Sequence, residues 1–198
     1  MIWDIVSPVY DFAETIFNCR VYHSTGRIVA DEISPGDTVL ECACGTGAIS
    51  KYIAPACKKL IATDLSKGMR RQTAKKCRKF GNVSVYAADL THLKCRDARF
   101  DAVVAGNVIH LLDDPEAAVR ELLRVCKPGG KVIIPTYING EKAVSRTVIA
   151  LLRKIGVDFR REFDLESYRA FFRGMGFTNV TYRIAKGRMP CAVAVIPR

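Results

Sequence analysis

The chain has 198 residues, 49% of them hydrophobic and 26% charged, which suits one domain with a sizeable core and excludes a disordered or repetitive protein. No apolar run approaches the ~20 residues that span a bilayer, and the opening residues carry Asp4 with no basic cluster, so a cytoplasmic protein without membrane span or secretory signal is expected. The net charge is +11, from 31 basic and 20 acidic residues.

In chain order, Trp3, Val6, Val9, Tyr10, Ala13, Phe17 and Val21 recur every three or four residues. That spacing predicts one or two amphipathic helices before residue 38, either packed on the core or serving as a lid over a ligand pocket. Short apolar, β-branched runs then read as strands at 38–42 (TVLEC), 60–64 (LIATD), 83–87 (VSVYA), 100–106 (FDAVVAG) and 131–136 (KVIIPT). Helical stretches fall between them at 48–54, 67–79 and 116–125. The last has Asp113 or Asp114 to cap it, Pro115 for its first turn and Pro128-Gly129-Gly130 to stop the chain beyond it. Two more helical stretches, 141–155 and 165–175, precede final strands at 180–184 and 192–196.

Alternating strands and helices imply right-handed crossovers and a parallel sheet. The connection 185–191 is too short for a helical crossover, so the last strand should run antiparallel to the one before it. The expected fold is α/β: a doubly wound, seven-stranded, mostly parallel Rossmann-like sheet with an antiparallel last strand and an N-terminal helical lid. One domain is expected over 1–198, with a helical cap at 1–37 and the core at 38–198.

Ligands of such sheets bind outside the carboxyl ends of the strands. The first strand leads into Glu41-Cys42-Ala43-Cys44-Gly45-Thr46-Gly47, where Gly45 and Gly47 permit a tight turn and a close approach to the backbone. The second ends at Asp64, a carboxylate able to accept two ribose hydroxyls; the third leads to Asp89-Leu90, the fourth to Gly106-Asn107-Val108-Ile109-His110. A nicotinamide dinucleotide would seat its pyrophosphate here through G-x-G-x-x-G, but the third glycine position is Ser50 and Glu41 would repel phosphate. S-adenosylmethionine has no phosphate and carries a sulfonium and an ammonium, which an acid attracts.

These segments together, VLECACGTG, IATDLS, AADL, FDAVVAGNVIHLLDDP and LLRVCKPGGKVIIPTY, resemble the class I S-adenosylmethionine-dependent methyltransferases, in the family's order and over 38–198. They are most similar to the branch with the ubiquinone and menaquinone biosynthesis methyltransferases. The opening Ser7-Pro8-Val9-Tyr10-Asp11 is also similar to sequences there and in bacterial phospholipid N-methyltransferases. The resemblance implies S-adenosylmethionine as cofactor. Glu41, Gly45, Thr46 and Gly47 would line its methionine part, Asp64 its ribose, Leu65 and Met69 its adenine. Asp89 would accept from the adenine amino group beside Leu90, and Asn107 would border the reaction centre. Ala43 stands where the family often has glycine.

Because a sulfonium is an activated methyl donor, such a protein chiefly aligns the acceptor and excludes water. A base is needed only where the acceptor must lose a proton; His110 and Tyr10 are the candidates, with His23 and Tyr137 as further pocket residues. The acceptor expected is small or amphiphilic, of quinone, phenol or phospholipid class, with peripheral contact to an anionic membrane. From 58 to 79 nine basic residues stand against one acid, Asp64, a face suited also to RNA or an acidic protein. No [N/D/S]-P-P-[F/Y/W] loop follows the fourth strand, and the Pro-Cys at Pro190-Cys191 precedes the last one, which disfavours nucleic acid. A cofactor-binding protein without transferase activity is the remaining alternative. Cys19, Cys42, Cys44, Cys57, Cys77, Cys95, Cys126 and Cys191 form no C-x-x-C pair; reduced thiols and no metal are expected.

Overall fold

Strand β1, Thr38–Cys42, lies third in a seven-stranded sheet in a computed structural model that describes the backbone of residues 2–138 and 160–198, and side chains at 4, 18–138 and 160–198. The other strands are β2 (Lys59–Thr63), β3 (Val83–Tyr86), β4 (Phe100–Ala105), β5 (Cys126–Tyr137), β6 (Thr181–Ala185) and β7 (Cys191–Pro197). Their order is β3-β2-β1-β4-β5-β7-β6. The first five run parallel; β7 is antiparallel to both β5 and β6, as the short connection before it predicts. The order reverses between β1 and β4, and a crevice opens there at the carboxyl ends of the strands.

Both faces of the sheet are covered, which is why its strands are apolar almost throughout. Alternate residues of β1 enter different cores: Val39 packs with Val29, Ile53, Leu60 and Ile133, and Leu40 and Cys42 pack with Phe100, Leu122, Ile134 and Phe172. Helices α1 (Ile2–Asp31), α2 (Ser50–Ile53) and α3 (Lys67–Cys77) pack together, while α4 (Pro115–Val125) and α5 (Leu165–Gly174) cover the opposite face. The predicted helix over 141–155 lies outside the described residues. Within 48–54 only Ser50–Ile53 is α-helical, and Pro55 turns the chain into a 3₁₀ segment, Ala54–Ala56.

The caps explain the helix starts. Asp114 rather than Asp113 caps α4, accepting from the Ala117 N–H at 2.8 Å. Asp164 and Ser167 form a reciprocal capping box at α5. Pro128-Gly129-Gly130 follows α4 but lies inside β5, where it shifts the register against β4 between Phe100 and Ala102. A side chain at Gly130 would lie 2.5 Å from the Asp101 carbonyl oxygen, so only glycine fits there.

The N-terminal segment is two helices merged across a kink at Asn18 (φ −147°, ψ 31°). Asn18 fixes the kink to the β6–β7 turn, donating from Nδ2 to the Met189 carbonyl at 2.8 Å. At the other end, Asp4 accepts from Ser66 Oγ at 2.7 Å and the Gly68 N–H at 2.8 Å. The segment before residue 38 is thereby tied to both ends of the crevice side of the fold. All eight cysteines are free thiols. Among the described residues no helix is long and apolar enough to cross a membrane.

Candidate functional site

The crevice at the switch point holds a cavity of about 280 Å³. Its floor is the turn after β1. Ala43, Gly45 and Gly47 all take positive φ (50°, 55° and 80°), curling the chain so that its backbone faces the cavity. The turn is held from three sides: Cys44 N–H donates to the Thr63 carbonyl at 2.9 Å, Thr73 Oγ1 to the Gly45 carbonyl at 2.7 Å, and the Gly45 N–H to Asp64 Oδ2 at 2.9 Å. A side chain at Gly47 would meet the backbone of Thr73 at 3.1 Å, so this glycine packs the turn against α3.

Of the cofactor residues expected from sequence, Glu41, Gly45, Thr46, Asp64, Leu65, Met69, Asp89, Leu90 and Asn107 all line the cavity; Gly47 does not. Glu41 is 2% exposed and accepts from Ser50 Oγ at 2.5 Å. Burial pushes its carboxyl up to about 8. Burial also raises Asp64, against the opposing effect of the Ser66 and Gly45 N–H groups and the charge of Arg70. Asp89 is held below its ordinary value by the hydroxyl and N–H of Thr91, which donate to Oδ1 at 2.7 and 2.9 Å. Thus the lining contains three carboxyl groups and, among the described residues, no lysine or arginine, in a chain of net charge +11.

Among the proposed catalytic and pocket residues the geometry is uneven. His110 sits in a 3₁₀ turn (Ile109–Leu111), is 6% exposed and does not line the cavity; burial lowers its imidazole to about 4. The side chain of Tyr10 lies outside the described residues, and its backbone belongs to α1. His23 is exposed, and its ring hydrogen-bonds to Tyr52 away from the cavity lining. Tyr137, at the end of β5, does line it. Sequence reasoning missed Tyr22 and Thr25 on α1 and Leu111 and Leu112 after β4. Nothing local marks them: they reach the cavity only because α1 packs beside α2 and α3 and because the chain turns after Asn107.

Residues 40–134 match the family described as a methyltransferase domain. The chain is 33% identical over 148 residues to a demethylmenaquinone methyltransferase of Renibacterium salmoninarum, covering 74% of this chain and 61% of that one. The methyltransferase-domain match and this relative support a class I S-adenosylmethionine-dependent methyltransferase, over about half to three-quarters of the chain. A phosphoethanolamine N-methyltransferase of Arabidopsis thaliana is 29% identical over 173 residues, 84% of this chain and 33% of the plant protein. The fold is shared with a crystal structure of an S-adenosylmethionine-dependent methyltransferase from Thermotoga maritima, at a TM-score of 0.77, 19% identity and coverage of 100% and 99%. The chain spans about six-tenths of the length of the first bacterial relative.

The residues of this cavity fit S-adenosylmethionine on chemical grounds. Two buried polar atoms that line it, Asn107 Oδ1 and Thr25 Oγ1, have no hydrogen-bond partner within the described protein. Both can accept from a ligand donor, and burying them unpaired is costly. With Glu41 and Asp64 they make a pocket that favours positive charge and donors over phosphate.

Proposed function

We infer that the protein transfers a methyl group from S-adenosylmethionine to a small or amphiphilic acceptor of quinone, phenol or phospholipid class, by in-line displacement. The observation that carries this is the acidity of the cavity: three carboxyl groups, Glu41, Asp64 and Asp89, and among the described residues no lining lysine or arginine, in a strongly basic chain. A pyrophosphate-bearing dinucleotide would meet the acids Asp64 and Asp89 and would keep Glu41 from ionising, whereas a ligand with a sulfonium and an ammonium is attracted and favours the ionised Glu41. Similarity to a demethylmenaquinone methyltransferase and a phosphoethanolamine N-methyltransferase supports both the reaction and a small acceptor.

When bound, the cofactor supplies an electrophilic methyl group whose transfer leaves a neutral thioether. The protein's task is then to bind, orient and exclude water. Glu41 and Asn107 would receive the amino-acid end, Asp64 the ribose hydroxyls, Leu65, Met69 and Leu90 the adenine faces, and Asp89 its amino group. Tyr22, Thr25, Leu111, Leu112 and Tyr137 complete the remaining wall, mostly apolar with a few hydroxyls, which suits an amphiphile's ring or chain more than a nucleotide. His110, buried and off the wall, is a poor base for an acceptor; Tyr137 is better placed to meet one.

The test is calorimetric titration of wild type and Asp64→Ala with S-adenosylmethionine and S-adenosylhomocysteine, followed by a turnover screen across quinols, phenols and phospholipids. Micromolar binding lost in the variant, with turnover on one of these classes, is the expected result. Binding of a dinucleotide in place of either adenosyl ligand overturns the reading.

A further inference from the structure

Helix α3 begins at the cavity and carries an exposed basic ridge that the proposed chemistry does not use. Lys67, Arg71 and Lys75 recur at four-residue spacing along the helix, Arg78 and Lys79 follow in the turn at its end, and all five are exposed. Over the 11 residues of the helix the ridge extends about 16 Å. No acidic residue occurs between Leu65 and Ala88. Among the described residues none of the five joins an ion pair, whereas Arg124, Lys127 and Arg183 elsewhere do. Lys76, on another face of the same helix, turns inward, its ammonium 3.5 Å from the Tyr22 hydroxyl and 3.4 Å from that of Thr46. The helix therefore separates an inward cation that supports the site from outward cations that join no ion pair among the described residues, Lys79 only lying over the Phe80 ring at 5.0 Å.

The ridge ends beside the exposed large hydrophobic residues. Leu65 is 51% and Tyr86 57% exposed, and they stand where Asp64 N–H donates to the Tyr86 carbonyl. Leu65 also lines the cavity, so its exposed side marks the mouth. Apolar side chains at the mouth, flanked by unpaired cations, match the interface of a bilayer: headgroup phosphates meet the ridge while Leu65 and Tyr86 reach the acyl boundary.

We propose that the α3 ridge, with Leu65 and Tyr86, docks the protein on a bilayer containing anionic phospholipid and sets the cavity mouth at its surface. This deepens the proposed function by naming the phase from which an amphiphilic acceptor enters. A polynucleotide is the competing polyanion. The bilayer is favoured because the exposed apolar pair adjoins the cavity mouth, where a single membrane-borne molecule must enter.

The test is co-sedimentation of the full-length protein with vesicles of pure phosphatidylcholine and of phosphatidylcholine with 30 mol% phosphatidylglycerol (roughly the anionic fraction that gives a strong surface potential), in low and high salt. Binding only to the anionic vesicles, released by salt, is expected. A Lys67→Glu/Arg71→Glu/Lys75→Glu variant should lose about a hundredfold or more in partitioning, at about fivefold per lost basic charge. Tyr86→Asp should weaken binding in high salt, where the apolar contribution dominates. Melting temperature and S-adenosylhomocysteine affinity of the triple variant should match wild type, which separates docking from folding and from the cofactor site. Equal partitioning of wild type and triple variant, or no vesicle binding by wild type, overturns the docking face. So does salt-sensitive binding to an oligoribonucleotide without vesicle binding. None of these outcomes bears on adenosyl-ligand binding, whose failure would instead overturn the proposed function.

Discussion

Asp64 is tied to Gly45: its Oδ2 accepts the Gly45 N–H at 2.9 Å, while Oδ1 accepts the Ser66 N–H at 2.8 Å. One carboxylate thus fastens the turn after β1 to the start of α3 and still presents lone pairs to the cavity. Asp64→Ala should therefore do two things. It should abolish measurable binding of S-adenosylhomocysteine, and it should lower stability by about 2–4 kcal/mol, since two N–H groups lose a charged acceptor. Asp64→Asn, which keeps one oxygen acceptor, should recover part of the stability and little of the affinity. Titration calorimetry and thermal melting, run on both variants, check the two effects separately.

Glu41 and Ser50 make a buried pair at the same floor, and burial raises the Glu41 carboxyl from 4.5 to about 8. Between those values the unfolded chain has lost this proton while the native chain keeps it. This group's contribution to stability is therefore full below pH 4.5 and falls as pH rises toward 8. A cationic ligand beside Glu41 favours the ionised form, so binding near pH 7 should release up to one proton. Its affinity should increase with pH up to about 8. Calorimetry in buffers of different ionisation enthalpy counts the proton. Glu41→Gln should release none and should flatten the stability profile of the free protein.

Ala43 holds φ at +50° in the turn, a conformation that costs an L-residue about 1–2 kcal/mol relative to glycine. Glycine at this position loses about 0.4–1 kcal/mol through greater freedom of the unfolded chain. Ala43→Gly should thus leave stability unchanged or raise it by up to about 1.6 kcal/mol, whereas a β-branched residue, as in Ala43→Val, should cost roughly 2 kcal/mol or more. Denaturant unfolding of the three proteins measures the order. A more stable Ala43→Val would show that the turn is not strained as its φ implies.

The strands were legible because burial on both faces makes them runs of apolar residues; Thr38–Cys42 matches its expected bounds, most others move by a residue or two, and β5 begins five residues before its expected start. Acids and glycines at the strand ends were legible for a different reason: a glycine turn and a strand-end carboxylate have few other uses in an apolar sheet. What local pattern could not give was anything made by packing between distant segments. Thr25 and Tyr22 join the cavity from α1, more than a dozen residues before the glycine turn, and no spacing announces them. The Asp4 bonds to Ser66 and Gly68 join residues 62 and 64 apart. Pro128-Gly129-Gly130 reads as a helix stop, which it follows, but its place as an irregularity within β5 depends on the Arg198 backbone pairing with Gly129 and Gly130.

His110 shows the same limit most sharply, since adjacency to Asn107 in sequence puts it near the reaction centre but its 3₁₀ turn buries it instead. Burial lowers the imidazole from 6.5 to about 4. As pH falls through 6.5 the unfolded chain gains a proton that the native chain refuses, so this group's contribution to stability is full above pH 6.5 and declines toward pH 4. His110→Asn should remove that acid limb from the melting profile while lowering stability at neutral pH by disturbing a packed site. Its effect on turnover should be small. Removing a general base costs about 10²–10⁴-fold, and a positioning residue that never touches the acceptor should cost less than about tenfold. A rate profile whose acid limb near pH 4 disappears in His110→Asn, together with a hundredfold loss in kcat, would put the imidazole back in the reaction. Unchanged pH dependence with a lower melting temperature assigns it to the core that holds the loop after β4.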